Sequence, residues 1–387
     1  MNRPLFLVLM MATALLARAQ DSKLVRDGAF WVSTATGTVP VVPGGKLHVS
    51  TRGIVTVRGA GDDPPRYTLT KKVKARSEGE ARRLMGQFLV RTSRQGDTGF
   101  LTVSHGGDGL GSASLEVSAP RSLRGVLIDT HGGRLEASDL NGSLDAQSRG
   151  GAIQLDRIDG PVLAKTAGGE IVLGTVGGTA RCVSAGGAIR ADVIRGDAWL
   201  ETAGGDISVR EVGGVLHAST AGGGIRIGRA GSKVALNTAG GTIEVGSAKG
   251  MVTAGNQGGP IQVGGAAGVQ CDSGGGAIRL SNVSGSMNAS TLVGNIMAQL
   301  LTGAVLEDSI LSTGGGDITV LVPSNLRITI LAQMELASNA RRIVSEFPAV
   351  KTRMEGALAV AEGSINGGGP LLRLKGSGGT IYIRRQR

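Results

Sequence analysis

From His131 to Gly265 the chain repeats a nine-residue phrase without a gap, as in AGGEIVLGT, VGGTARCVS, AGGAIRADV and IRGDAWLET. Alternate units are more alike than adjacent ones, so the true period is 18: Leu135, Ile153, Ile171, Ile189, Ile207, Ile225, Ile243 and Ile261 follow one another at that spacing. A short fixed period admits few folds, because each unit can bury its apolar face only against the next. Positions 5 and 7 of a unit are apolar, as in Ile171 and Leu173 or Ile207 and Val209, while positions 4, 6 and 8 are mostly polar or small. Period-two alternation bounded by glycine pairs predicts a half-buried strand followed by a tight turn. One unit is then a strand and a corner, and two units make a coil. Glycine at the corner is expected to supply a positive φ. Position 1 (Ala167, Val176, Ala185, Ile194) is expected to plug the corner from inside. The position 9 column, Ser148, Thr166, Ser184, Thr202, Thr220, Thr238 and Asn256, is expected to hydrogen-bond the turns.

These features predict an all-β fold, a flattened single-stranded β-solenoid (β-helix) with 18-residue coils of two short strands, stacked at about 4.8 Å. Composition agrees: 66 glycines and 2% aromatics suit a thin interior of Ile, Val, Leu and Ala with no room for large rings. The register slips once. The unit AAGVQCDS is one residue short, and Ile278 follows Ile261 after 17 residues. Such a loss flips side chains unless a turn absorbs it, and the glycines Gly274 to Gly276 are the expected place.

The predicted organisation has four parts. Residues 1–19 read as a Sec-type signal peptide, with Arg3, an apolar run from Leu5 to Leu16, and Ala17-Arg18-Ala19 before cleavage at Gln20. Residues 20–110 break the period and form a β-rich cap with one helix at about 78–90. In that helix Ser77 and Glu80 make a capping box, and Ala81, Leu84, Met85, Phe88 and Leu89 form the apolar face. Residues 111–317 are the solenoid body, and 318–387 a C-terminal β cap. The signal peptide implies an exported protein, periplasmic or extracellular, and no segment after it reads as an integral membrane span.

The net charge of +11 is uneven, with the basic excess at the two ends and a slightly acidic repeat. Nucleic-acid binding would need a basic groove with stacking aromatics, so it is set aside. Basic ends fit weak attraction to anionic envelope polymers or lipids. Cys182 and Cys271 lie five coils apart in this register, about 24 Å at the strand spacing, beyond disulfide reach. Buried free thiols are expected. A calcium nonapeptide would need an acidic column at position 6, where Gln154, Val172, Arg190, Ser208, Arg226 and Thr253 stand instead. No cofactor and no metal site is predicted.

One outward patch carries possible chemistry. Position 6 of three successive coils holds Arg181, Trp199 and His217, and Asp197 and Glu201 flank Trp199 on its own strand. Rings beside carboxylates and a guanidinium can bind sugars by stacking and hydrogen bonding; alternatively, the tryptophan only covers its neighbours' stems or docks on a cap or loop. Asp197 and Glu201 lie about 13 Å apart along a strand, too far for a glycosidase pair.

The stretch LEVSAPRSLRGVLIDTHGGRLEASDLNGSLDAQSRGGAIQL resembles the start of the DUF4097 family of bacterial adhesin-like proteins. The tail, ITVLVPSNLRITILAQ followed by GSINGGGPLLRLKGSGGTIYI, is similar to that family's closing segment. The resemblance spans about residues 110–385. It implies an exported bacterial β-helix with no established catalytic residue to carry over. The expectation is a non-enzymatic, adhesin-like structural or binding protein of the cell envelope, whose partners are envelope polymers, glycans or another envelope protein. The alternative is a carbohydrate-binding or polysaccharide-active β-helix protein.

Overall fold

The computed structural model describes residues 20–386, apart from residues 22, 62, 107–110, 302, 304 and 336–341. The signal-peptide reading of residues 1–19 lies outside the described residues. The chain is a flattened β-solenoid, nearly all strand, with a single helix among the described residues. It divides into two compact units, residues 1–162 and 163–387.

In the second unit each coil is two strands joined by two corners. Strands Ile171–Val176, Ile189–Ile194, Ile207–Val212, Ile225–Ala230 and Ile243–Ala248 stack in parallel, one per coil. Ile171, Ile189, Ile207, Ile225 and Ile243 are Cα partners in turn, and each is at most 1% exposed. Burying one such side chain stabilises by roughly 2 kcal/mol, so the column is a main source of cohesion between coils.

The two corners differ. The strands of the isoleucine column are the odd strands, and those between them, Ala180–Ser184, Ala198–Thr202 and their successors, the even ones. After an odd strand the corner is filled by an apolar residue: Val176, Ile194, Val212 and Ala230 are buried. After an even strand it is filled by the position 9 residue, and Ala167 and Ala185 sit outside, exposed. The expectation that position 1 plugs every corner therefore holds at alternate corners only. At the others a hydroxyl does the work. Thr220 Oγ1 donates to Gly205 O at 2.9 Å in the coil before and accepts from Gly223 N at 3.2 Å. Thr202 and Thr238 make the equivalent donations to Gly187 O and Gly223 O, and the Asn256 amide donates to Gly241 O at 2.6 Å. The polar column thus ties its own turn and the neighbouring coil together, satisfying buried backbone groups.

The corner glycines serve closeness of approach. None of the AGG glycines between Gly168 and Gly241 has a positive φ. A Cβ added to Gly187, Gly205 or Gly223 would overlap the carbonyl oxygen of the glycine one coil earlier. Stacked corners leave no space for a side chain, and this replaces the expected left-handed backbone as the reason for glycine.

The short coil also differs from expectation. Strand Ile261–Val263 is cut to three residues, while Gly268–Ser273 pairs without interruption on both sides. The missing residue is absorbed in the corner between Ala266 and Gly268, where Ala267 N–H reaches Gly250 O at 3.2 Å. Gly274–Gly276 form an ordinary corner: Gly274 N–H donates to Asn256 O, and Gly276 N–H to Ser273 Oγ. The loss therefore falls before the strand and leaves Cys271 inward.

Each unit ends in an interleaved coil. In the second unit, Leu371–Gly376 lies between Ser309–Thr313 and Ile328–Glu335, parallel to both. Ile381–Arg385 likewise lies between Ile318–Val322 and Ile343–Ser345. Leu358–Ile365 then covers the outer edge of Ile328–Glu335 in antiparallel fashion. In the first unit, Lys46–Thr51 lies between Thr98–His105 and Gly125–Thr130, and Ile54–Gly59 between Gly111–Ala119 and Leu135–Leu140.

The helix runs Glu78–Met85, shorter than the expected span of about 78–90. Half of the expected capping box is present: Glu80 N–H donates to Ser77 Oγ, while the Glu80 carboxylate reaches one residue further back and accepts from Arg76 N. Gly86 stops it, and Phe88 and Leu89 open the next strand, Phe88–Gln95. Phe88 still packs with Val73, Ala81, Leu84 and Met85, but Leu89 points outward at 50% exposure. A helical and a strand continuation both bury Phe88, so the apolar spacing did not distinguish them.

Candidate binding face

The even strands of the second unit set the geometry of the patch. Ala180–Ser184, Ala198–Thr202 and Leu216–Thr220 are parallel neighbours in strict register. Alternation buries Ala198, Leu200 and Thr202, so positions 199 and 201 face outward. Arg181 pairs with Trp199, and Trp199 with His217, as one outward column. The Trp199 and His217 rings are stacked, with centroids 6.0 Å apart and planes 12° from parallel. Trp199 is half-buried; Arg181, Glu201 and His217 are exposed.

Asp197 is placed differently from its expected companions. It precedes the strand, at the corner, and its Oδ1 accepts the Val215 N–H of the next coil at 2.7 Å. Asp206 makes the same bond to Gly224 N at 2.7 Å. The Asp197 carboxylate is thus engaged in joining coils, and Arg181, Trp199, Glu201 and His217 make up the outward group.

The two faces of this unit are chemically unlike. Odd strands carry a ladder of charges paired from coil to coil: Glu170 with Arg190, Asp192 with Arg210, Glu211 with Arg229 and Glu244 with Arg226. The Arg210 guanidinium holds the Asp192 carboxyl below its usual range, and Arg229 does the same to Glu211. Both members of each pair are solvated, so the ladder adds little stability; it neutralises that face. Even strands present mainly uncharged groups.

A groove on the even face was not legible from the sequence. It lies in the second unit, has a volume of about 870 Å³, and crosses successive strands from Ser219 to Ser312. Its floor is the backbone of the position 9 residues, whose side chains turn inward. Position 8 residues, among them Ser219, Asn237 and Ser290, form one wall, and corner residues such as Gln257 and Leu292 the other. The run of short side chains at position 8, with Ser219, Asn237 and Gly255 at 18-residue spacing and Asp272 and Ser290 at the equivalent places beyond, was the available signal.

Cys182 and Cys271 are both free and buried. Burial pushes each thiol up to about 12, with the Asp272 charge adding to the effect at Cys271. They are small core residues without thiolate character at neutral pH.

No known family profile and no curated protein matches the sequence. Among solved structures, the chain is similar to a provisionally named adhesin from Parabacteroides distasonis, at 14% identity, with 72% of this chain and 95% of that one covered and a TM-score of 0.34. It is also similar to a provisionally named adhesin from Bacteroides fragilis, at 12% identity, with 92% and 97% covered and a TM-score of 0.26. A provisionally named lipid-binding protein from Parabacteroides distasonis matches at 12% identity, over 91% and 97%, with a TM-score of 0.19.

Proposed function

We propose that this chain is an exported, non-catalytic binding protein of the cell envelope, adhesin-like in role, that holds a glycan on the even face of its second unit. The observation that carries the reading is the stacked Trp199–His217 pair on an outward column, in a chain with 2% aromatics. A ring pair left at the surface offers an apolar plane for the C–H face of a sugar. Arg181 and Glu201, beside it in register, offer a donor and an acceptor for ring hydroxyls. The non-catalytic part of the reading is supported by Asp197, whose carboxylate is bound to a backbone N–H instead of facing Glu201 across a substrate. Binding at such an open surface is weak at one site and gains from repetition.

The test compares wild type with Trp199→Ala and Trp199→Phe on a glycan array. Wild type and Trp199→Phe should bind one glycan class, and Trp199→Ala should lose it. Equal binding by all three removes the Trp199 platform from the reading. Release of reducing ends from a bound polysaccharide would show a hydrolase instead. Export is tested by cell fractionation and by the mature N-terminus, expected at Gln20.

A further inference from the structure

The groove on the even face has a shape, a chemistry and a boundary that together point to one kind of occupant. It crosses the strands of six successive coils, from Leu216–Thr220 to Ser309–Thr313. At the strand spacing that is about 24 Å, long and narrow. A linear chain fits this shape, and a compact small molecule does not.

The lining is uncharged with one exception. Among the described residues Asp272 is the only ionisable one lining it, and its Oδ1 already accepts from Ser290 Oγ at 2.5 Å. Anionic chains find no cation along the walls. An extended peptide is also a poor match. Its backbone would cross strands whose own N–H and C=O groups are consumed in parallel ladders, and its residues repeat at about 3.3 Å against a coil step of about 4.8 Å. A pyranose with its glycosidic oxygen is about as long as one coil step. Serine hydroxyls and the amides of Asn237 and Gln257 offer the donors and acceptors that sugar hydroxyls require.

Two details mark the groove as built for close approach. Gly255 stands outward within its strand, next to the last residue, where a glycine weakens the sheet and often marks contact with another chain. A Cβ there would come within 2.6 Å of Asn237 Oδ1 and crowd the position 8 wall. Among the described residues the Asn237 side chain has no hydrogen-bond partner. Leu292, on the opposite wall, is 71% exposed, an apolar edge against which a sugar ring can pack. One end of the groove opens at Ser219, two residues along the same strand from His217.

We infer that the groove seats an uncharged linear polysaccharide running from coil to coil, and that the Trp199–His217 rings hold the sugar beyond its Ser219 end. The inference rests on the glycan-binding reading above and adds the ligand's form, charge and direction. The experiment is calorimetric titration of the mature chain with uncharged gluco-, manno-, galacto- and xylo-oligosaccharides, from disaccharide to octasaccharide. Affinity for one series should rise by at least roughly tenfold with length, ~1.4 kcal/mol of added contact. Ser290→Arg, at an exposed position, should abolish that rise and leave disaccharide binding intact. Asn237→Ala should reduce the rise and serves as the second variant if Ser290→Arg unfolds the chain. Trp199→Ala should weaken every length alike. Length-independent binding that still needs Trp199 overturns the groove and keeps the platform. Length-dependent binding that ignores Trp199→Ala but falls with Ser290→Arg keeps the groove and removes the platform. No binding by any series, or tighter binding of an anionic oligosaccharide, overturns the inference.

Discussion

Asp317 accepts the backbone N–H of Thr380 at 2.7 Å, across 63 residues of sequence. The bond closes the corner of a coil that the chain enters last, between two coils already made. Asp308 does the same for Leu371 N–H at 2.9 Å, also 63 residues away. The C-terminal strands are therefore inner coils of the second unit. Deleting residues 371–387 should expose apolar surface on both sides of the gap and abolish the cooperative unfolding of that unit in urea. Asp317→Ala should cost about 2 kcal/mol, the loss of one hydrogen bond to a carboxylate, and Asp317→Asn less, since Asn295 makes the same bond to Asp317 N. A truncated chain that unfolds at the wild-type midpoint would contradict the interleaved order.

The isoleucine column gives a graded test. Ile207 is 1% exposed, between Ile189 and Ile225. Ile207→Val should cost about 0.5–1.5 kcal/mol for a lost methylene. Ile207→Asp buries a charge with no partner and should exceed roughly 4 kcal/mol. Denaturant midpoints of the two variants measure the difference, and a mild effect of the aspartate would mean that the side chain reaches solvent.

The short corner can be probed by insertion. A residue added between Ala266 and Ala267 restores the length of the neighbouring corners and should leave the melting temperature nearly unchanged. The same residue added between Val269 and Gln270 reverses the alternation, turning Cys271 outward and Gln270 inward. That variant should be strongly destabilised and should react with thiol reagents while folded. Equal tolerance of both insertions would show that the strand, not the corner, is the adaptable element.

Native Cys182 and Cys271 should be silent toward thiol reagents at neutral pH, and two thiols per chain should appear in denaturant without reductant. Their linkage to pH has a definite sign. Burial raises each thiol from 9.0 to about 12, so above 9.0 the unfolded chain gives up protons that the folded chain keeps. The stabilisation is complete below pH 9.0 and is lost as pH rises from there toward about 12. Replacing both cysteines by alanine should flatten the fall of stability in that window, as unfolding titrations at stepped pH would record.

Period and alternation alone determine the coil. With 18 residues between equivalent isoleucines, one register buries all of them, and the position 9 hydroxyls then have only the turns to bond. The outward column of Arg181, Trp199 and His217 follows from the same arithmetic, because residues 18 apart must become neighbours. Tertiary structure decides what local spacing leaves degenerate. Phe88 is apolar at a helical and at a strand position alike, and only packing against Val73 and Met85 shows which is used. Glycine reads as a turn former in sequence, but here the stacking of whole corners excludes a Cβ. Asp197 reads as one more outward carboxylate until the next coil brings Val215 N–H to it. Neither the groove, whose position 8 residues read locally as an ordinary polar face, nor the interleaved coils can be found from one stretch of sequence. They arise where walls from six strands align, or where strands 63 residues apart pair, and such proximity exists only after the chain has folded.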